Sequence, residues 1–232
     1  MTKPRLALTT TRDRALQLSD QVAGLGLEPV MLPCIELVPG SDDVIETARI
    51  QSARSDWLFL TSPRTVRELW PEGGMPKTRV AAVGQATAEA VRDAGGPVAV
   101  VGDGGARDLV DRISHIVAGQ SVFVPHAANA DRSTIDLLAG TGARVRTKVV
   151  YEMRPISPPD DPIDAIAFGS PSAVTGWFLS RDLEGLAVGV IGETTASAVA
   201  GHGHQFDVMP PSPSFGELTR LIAGHLSEGR TV

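Results

Sequence analysis

The sequence predicts an α/β fold with two similar domains, each containing a parallel sheet flanked by helices, joined by a two-strand hinge linker. Short apolar runs alternate with helical patterns along the 232 residues, as is typical of βαβ units. The chain also contains two copies of the same islands of sequence. A chain of this length buries one large core or two modest ones, and the doubling favours two.

Two internal repeats carry this expectation. In the first, residues 56–66 resemble residues 164–174 at an offset of 108, and residues 80–91 match residues 188–199 with six identities in twelve. In the second, at an offset of 116, the start of the chain resembles its middle, with residues 6–8 on 122–124, Ala23-Gly24 on Ala139-Gly140, Gly26 on Gly142 and Glu36 on Glu152. A ligand between two such units would be held by matching edges.

The elements are predicted from these patterns in chain order. The first strand is expected at residues 6–9, and Ala15, Leu18, Val22 and Leu25 then share one face of a helix. Gly24 and Gly26 end that helix. Helices are expected between the remaining strands, which we predict at residues 29–37, 57–60, 79–83, 98–101, 121–124, 144–151, 165–168, 187–191 and 205–209.

Two turn-rich stretches, residues 39–43 and 154–162, mark where the chain is expected to pass between domains. The second is rich in proline and should therefore be extended and stiff. This predicts a discontinuous first domain of residues 1–38 and 159–232, a second domain of residues 39–153, and linkers near 38–43 and 153–162.

Composition and charge exclude several classes of function. A net charge of -6 without a basic run argues against binding of nucleic-acid phosphates or an anionic membrane surface. There is no signal-peptide pattern and no apolar run of about 18 residues, so we expect a cytoplasmic protein. The single cysteine, Cys34, cannot form an intrachain disulfide and is expected to be a buried small hydrophobe.

In both copies a strand runs into a Ser-Pro pair, at Ser62-Pro63 and at Ser170-Pro171. Serine suits a helix N-cap and proline suits the first helical position. The free N–H groups and the dipole of such a helix start favour an anion. Good capping alone is the competing interpretation.

A second junction is repeated at Gly84 and Gly192, where glycine would let a ligand approach the main chain. Thr87, Thr194 and Thr195 offer hydroxyls beside free amides. Ligands of open α/β sheets bind outside the carboxyl ends of the strands, where all four junctions should lie. Four donor-rich edges facing one cleft indicate a ligand with several carboxylates.

The chain resembles the uroporphyrinogen-III synthase family along essentially its whole length. The resemblance rests on the order and spacing of seven short motifs: Thr11-Arg12, Thr61-Ser62-Pro63, Val83-Gly84-Gln-Ala-Thr87-Ala, Val149-Val-Tyr151, Ser170-Pro-Ser172-Ala-Val174, Ile191-Gly192-Glu-Thr194-Thr195-Ala and Pro211-Ser-Pro-Ser214. It implies two α/β domains on a two-strand linker, with the active site in the cleft.

The resemblance also implies a reaction. The expected enzyme is a cofactor-free lyase of tetrapyrrole (haem) biosynthesis that inverts ring D of hydroxymethylbilane and closes the macrocycle to uroporphyrinogen III. Orientation of a substrate with eight carboxylates would be the main task, so neither a catalytic triad nor a metal site is required. We expect the protein to act as a monomer on this small-molecule partner.

The resemblance assigns roles to individual residues. Tyr151, the only tyrosine, is expected to donate a proton to the departing hydroxyl, although packing between domains would also explain an amphipathic ring there. Thr87 and Thr195 are expected to bind substrate carboxylates through hydroxyl and amide. Thr61 and Ser172 belong to the matched motifs and are counted with the substrate-binding residues.

Cations and departures from the family pattern complete the prediction. Arg12 and Arg64 follow strand ends and are candidate counter-ions. His126 and Asp131 stand where the family often has arginine, so Arg132 is the expected substitute. Gly169 replaces the usual hydroxyl residue before Ser170, which leaves Thr61 without a counterpart.

Two other classes of function fit the same features. A non-catalytic ligand sensor of the periplasmic-binding type is also built from two α/β lobes on a two-strand hinge, but no signal sequence is present. A degenerate synthase homologue serving as the ligand domain of a regulator is the other alternative. The few residues from Gly229 onward leave no room for a DNA-binding module.

Overall fold

The computed structural model describes residues 2–103 and 105–228, so the end of the chain from Gly229 lies outside the described residues. The chain divides into two compact units. Unit 1 comprises Met1–Leu37 and Arg154–Val232, and unit 2 comprises Val38–Met153. The predicted fold class, two α/β units with parallel sheets flanked by helices, is confirmed.

The elements follow one another in the order β1 (Arg5–Leu8), α1 (Arg12–Gly24), β2 (Glu28–Met31), β3 (Ile35–Pro39), α2 (Asp42–Arg54), β4 (Trp57–Leu60), α3 (Pro63–Leu69), β5 (Arg79–Ala82), α4 (Gln85–Asp93), β6 (Val98–Val101), α5 (Ala106–Val117), β7 (Ser121–Ala127), α6 (Ser133–Gly140), β8 (Arg144–Pro155), β9 (Ala165–Phe168), α7 (Pro171–Trp177), β10 (Ala187–Val190), α8 (Glu193–Gly201) and α9 (Phe215–Glu228). The chain crosses between the units within β3 and within β8.

The strands form two sheets. One has four strands in the order β10-β9-β1-β2, and its neighbouring strands are parallel. The other has six strands in the order β3-β8-β7-β4-β5-β6, and the neighbouring pairs from β8 to β6 are parallel. Parallel strands end at one edge of a sheet, so the segments that follow them lie side by side.

The repeats of the sequence reappear as repeats of structure. The elements β4, α3, β5 and α4 of unit 2 have the same lengths as β9, α7, β10 and α8 of unit 1, and each begins 108 positions earlier. At the offset of 116, β8 covers in one strand the positions that β2 and β3 cover in two. The two sheets therefore share the order of four corresponding strands.

Two predicted strands differ from the structure in more than the position of their ends, while β7 and β8 extend three and four residues beyond the predicted ends at residues 124 and 151. The predicted strand at residues 29–37 is split into β2 and β3, because Pro33 has no N–H to continue the ladder. The predicted strand at residues 205–209 was wrong: only Val208 bridges to Gly189, and the Asp207 carboxylate accepts the N–H of Val188 instead.

Each unit has its own core. In unit 1, α1 buries Ala15, Leu18 and Val22 against the sheet. In unit 2, α5 buries Leu109 and Ile113 in the same way. Each such large side chain contributes about 1.5–3 kcal/mol when it is fully buried.

Close packing requires glycine at one strand position of unit 1. A Cβ atom on Gly189 would lie 2.6 Å from Cδ1 of Ile222, so glycine allows α9 to approach β10. Cys34 is fully buried as predicted, and burial raises the pKa of its thiol to about 12. None of the helices in the described part of the chain has the length and apolar character needed to cross a membrane.

Candidate functional site at the carboxyl edges of the sheets

The first junction of unit 2 lies between β4 and α3. Ser62 is the N-cap of α3, and its Oγ accepts the N–H of Arg64 at 3.2 Å. Pro63 occupies the first helical position, where a missing N–H is harmless. The preceding Thr61 is exposed. The side chain of Ser62 thus serves as a cap, while Thr61 remains open to solvent.

The second junction of unit 2 lies beside the first, because β5 is the parallel neighbour of β4 and the N–H of Val83 donates to Leu60 O at 3.0 Å. Gly84 is the N-cap of α4. The N–H of Thr87, the third helical residue, donates to Gly84 O at 3.1 Å. The two earlier amides of the helix therefore have no intrahelical acceptor.

Unit 1 repeats both junctions. Ser170 caps α7 by accepting the N–H of Ala173 on its Oγ at 3.3 Å, and Ser172 in the same first turn is half-buried. Gly192 caps α8, and the N–H of Thr195 donates to Gly192 O at 3.0 Å. Thr194 is exposed. Since β9 and β10 are parallel neighbours, these junctions also lie side by side.

The two expected carboxylate-binding threonines are buried. Thr87 is 3% exposed and Thr195 is 1% exposed. The Thr195 hydroxyl oxygen has no hydrogen-bond partner among the described residues. A buried hydroxyl without a partner lowers the stability of the fold by about 1–3 kcal/mol. Helix capping does not explain why this hydroxyl is buried in that way. The open donors at the surface are the amides before these threonines.

The candidate cations lie at the same edges. Arg12 is the first residue of α1, follows β1 in unit 1 and is exposed. Arg64 is half-buried in the first turn of α3. Burial raises the pKa of Glu68 one turn later, and the charge of Arg64 partly offsets that rise. Arg64 therefore lies close enough to Glu68 for its charge to act on that carboxylate.

The departures from the family pattern have local structural roles. The Asp131 carboxylate accepts the N–H of Ser133 at 2.9 Å and its hydroxyl at 2.5 Å, and these bonds lower the pKa of Asp131. The exposed Arg132 is the N-cap of α6, in the segment that follows β7, and β7 is the sheet neighbour of β4. His126 Nδ1 lies 2.8 Å from Ala127 O.

Tyr151 lies in β8 and is 6% exposed. Its carbonyl accepts the N–H of Ala128 at 2.9 Å, at a register shift between β7 and β8. The strand order of unit 2 therefore places Tyr151, Arg132, the Thr61-Ser62 pair and Gly84 on four successive strands or the turns that follow them. In unit 1 the corresponding residues follow the successive strands β1, β9 and β10: Arg12, Ser170, Ser172, Gly192, Thr194 and Thr195.

Sequence reasoning missed several supporting residues. The Asp56 carboxylate accepts the N–H of Ser121 at 2.8 Å and its hydroxyl at 2.7 Å, and Asp164 accepts the N–H of Arg5 at 2.7 Å. Asp56 and Asp164 are the first residues of the repeated segments 56–66 and 164–174, so the repeat itself could have identified them. The Thr9 hydroxyl donates to Ala167 O at 2.7 Å between β1 and β9. No local pattern indicates that bond.

Among the described residues, no group of three or more histidine, cysteine, aspartate or glutamate side chains is arranged to hold a metal ion. The candidate site of each unit is a row of helix starts that carry free amides and hydroxyl groups, with Arg12 in unit 1 and Arg64 and Arg132 in unit 2. Such an edge favours negatively charged ligand groups through hydrogen bonds and the helix dipoles.

Comparison with known proteins gives one consistent family. The HEM4 family model, described as uroporphyrinogen-III synthase HemD, matches residues 17–220. The chain is 28% identical over 235 residues to the chloroplastic uroporphyrinogen-III synthase of Oryza sativa subsp. japonica, covering 90% of this chain and 76% of the rice protein.

Solved structures share the fold. Uroporphyrinogen-III synthetase from Helicobacter pylori 26695 superposes with a TM-score of 0.68 at 16% identity, covering 99% of this chain and 100% of the other. Wild-type uroporphyrinogen III synthase from the extremely thermophilic bacterium Thermus thermophilus gives a TM-score of 0.52 at 21% identity, covering 98% and 100%.

Proposed function

The chain belongs to the uroporphyrinogen-III synthase family, and we propose that the amide-rich edges described above are the groups with which it performs the family reaction. That reaction is the cyclisation of hydroxymethylbilane to uroporphyrinogen III with inversion of ring D, a lyase step in haem biosynthesis. The substrate is a linear tetrapyrrole.

The observation that carries the proposal is the exposed start of α4 and of α8. In each helix a glycine cap is followed by two amides without an intrahelical acceptor. A carboxylate that accepts such N–H groups forms charge-assisted hydrogen bonds, which are stronger than neutral ones. Several carboxylates held in this way would impose one folded shape on the substrate. That one substrate molecule contacts both edges stays a prediction.

Arg12, Arg64 and Arg132 would supply positive charge at the same edges. A bidentate arginine suits a carboxylate better than a lysine does. Arg132 would take the place of the arginines that the family often has at His126 and Asp131. The Asp131 carboxylate is bonded to Ser133, and these two residues flank Arg132 and fix the backbone around it. Thr61, Ser172 and Thr194 would add hydroxyl contacts at the surface.

Tyr151 is the proposed proton donor to the departing hydroxyl. A phenol carries an O–H group that can donate a hydrogen bond to the leaving oxygen. We expect no cofactor to be needed, because orientation of the reacting ends supplies the main rate gain. We further propose that the protein is cytoplasmic and acts as a monomer. Light scattering of the purified chain would test the oligomeric state, and cell fractionation would test the localisation.

The decisive assay supplies freshly generated hydroxymethylbilane, oxidises the products and separates the porphyrin isomers by chromatography. Unaided closure gives the uninverted type I isomer, so type III product demonstrates synthase activity. Only type I product would contradict the proposed function and favour a non-catalytic ligand-binding protein or a degenerate homologue.

Proline substitution at the first helical position tests the amides themselves. Gln85→Pro and Glu193→Pro each remove one N–H at a position where proline fits a helix, and the preceding glycines are already extended. We expect kcat/KM to fall about tenfold in each, as for loss of a hydrogen bond to a charged group. Asp42→Pro at the start of α2 is the matched control.

The charge change in Glu193→Pro works against the expected effect, and Gln85→Pro leaves the charge unchanged. Glu193→Pro removes a negative charge beside the anion site, so weaker substrate binding there cannot be a charge effect. If Gln85→Pro and Glu193→Pro retain the kcat/KM of Asp42→Pro, the helix starts do not bind the carboxylates.

A further inference from the structure

Residues 211–215 of unit 1 lie over two of its junctions. A Cβ atom on Gly169 would lie 3.2 Å from Cε2 of Phe215, and a Cβ atom on Gly192 would lie 3.9 Å from Cγ of Pro213. Gly169 directly precedes the Ser170 cap, and Gly192 is itself the cap of α8. One short segment therefore brings two apolar side chains to the edge that carries the free amides.

Unit 2 has no such cover at the corresponding positions. Gly84 corresponds to Gly192, and apart from its chain neighbours no described atom lies within 4 Å of a Cβ built on it. Thr61 corresponds to Gly169 and presents an exposed hydroxyl. The missing hydroxyl at Gly169 thus has a structural reason, because the ring of Phe215 occupies the adjacent space.

The ring of Phe215 is held firmly but is not fully buried. It is the first residue of α9 and packs against the apolar core of unit 1, while part of its surface stays exposed. Ser214 fixes the helix start, since its Oγ accepts the N–H of Glu217 at 3.3 Å and its carbonyl accepts the N–H of Leu218 at 3.0 Å. Fixed aromatic surface beside a few polar donors is the usual composition of a small-molecule site.

Building on the proposed function, we propose that Phe215 contacts the substrate by packing against the face of one pyrrole ring of hydroxymethylbilane. The substrate has flat rings as well as carboxylates, and ring faces pair favourably with an aromatic side chain. A pyrrole held by its face cannot rotate freely, so this contact restricts the conformations from which the macrocycle closes. Unit 1 thus supplies an apolar ring contact at the position where unit 2 has the exposed hydroxyl of Thr61.

The test compares three variants of the full chain in the isomer assay. Phe215→Leu keeps the bulk but removes the ring face, and we expect KM to rise about three- to tenfold with a larger share of type I product. Phe215→Tyr keeps the ring and should restore both values. Phe206→Leu is the matched control, since Phe206 is also exposed in unit 1 but lies beside the amino-terminal half of β10.

Gly169→Ala provides an independent variant that retains the phenylalanine but changes the position of its ring. The added methyl would force Phe215 to move by a few tenths of an ångström, so KM should rise in the same direction. This variant decides the matter if Phe215→Leu fails to fold. Wild-type KM and isomer ratio in both variants would overturn the ring contact alone, whereas a wild-type chain that makes only type I product would overturn the proposed function as well.

Discussion

Units 1 and 2 place the same helix after the same Ser-Pro turn, yet they treat one position of it in opposite ways. Gly176 of α7 corresponds to Glu68 of α3. A Cβ atom on Gly176 would lie 2.0 Å from Cys34 O and 2.8 Å from Ile156 O, because two backbone segments press against the helix there. Glu68 is only half-buried. A repeated element therefore keeps its length and caps while its neighbours decide its side chains.

The strands at the crossings show the same contrast. Pro33 divides β2 from β3 in unit 1, whereas the corresponding Val149 lies within the unbroken β8 of unit 2. Tyr151 of β8 corresponds to Ile35 of β3. The copy in unit 2 thus carries the phenol, and the copy in unit 1 carries an aliphatic side chain. Corresponding backbone positions of the two units thus carry chemically different side chains.

The largest expected effect breaks the packing of unit 1. Gly176→Ala forces a methyl group into two carbonyl oxygens, and neither backbone segment can yield cheaply. We expect a loss of about 3 kcal/mol or more in the free energy of unfolding. Denaturant titration measures it, with Glu68→Ala as the matched change in unit 2. Equal stability of the two variants would show that the environments of the helices do not differ as described.

The next effect concerns Tyr151 and Ile35. Tyr151→Phe removes only the phenol oxygen, and we expect kcat to fall about a hundredfold, the lower range for loss of an acid catalyst, with an unchanged unfolding temperature. Ile35→Val at the corresponding position should leave kcat unchanged. Steady-state kinetics on hydroxymethylbilane test this, and a wild-type kcat in Tyr151→Phe removes the residue from the mechanism.

The serine caps should behave alike. Ser62→Ala and Ser170→Ala each remove one side-chain acceptor of a helix N–H, at a cost of about 1 kcal/mol. Thermal unfolding of both variants compares the two junctions directly. A much larger loss at one junction would mean that its serine does more than cap the helix.

The smallest effect depends on pH. Hydrogen bonds from Ser121 lower the pKa of Asp56 in the folded chain, so ionised Asp56 stabilises the fold above the unfolded pKa of about 3.9. That contribution is lost as the pH falls through the folded pKa. Asp56→Asn should therefore be less stable than wild type at pH 7, and the gap should close below about pH 4, as followed by denaturant titration.

The corresponding aspartate in unit 1, Asp164, allows a comparison that sharpens this prediction. Among the described residues, the Asp164 carboxylate accepts the N–H of Arg5 alone, whereas the Asp56 carboxylate accepts two hydrogen bonds from Ser121. We expect Asp164→Asn to cost less than Asp56→Asn at pH 7. The reverse order would show that the number of accepted hydrogen bonds does not determine how much each aspartate stabilises the fold.

Local chemistry accounts for what could be predicted from the sequence. Apolar alternation, the Ser-Pro starts and the offsets of 108 and 116 depend on residues close in the chain, so they predicted most strands, the caps and the two similar units. The split at Pro33 was also readable, since a proline interrupts a ladder wherever it occurs. Candidate residues that follow strand ends were found because parallel strands end at one edge.

Packing between distant segments decided the rest. Gly176 against Cys34, Phe215 over Gly169 and the Thr9 bond to Ala167 all join segments more than 40 residues apart, and nothing local encodes them. The burial of Thr87 and Thr195 likewise depends on how each helix meets its sheet. The sequence alone determined the elements and their repetition through short-range hydrogen bonding and hydrophobic periodicity. The tertiary structure alone decided which repeated positions face an open edge and which face another segment, because close packing is set by whole elements meeting.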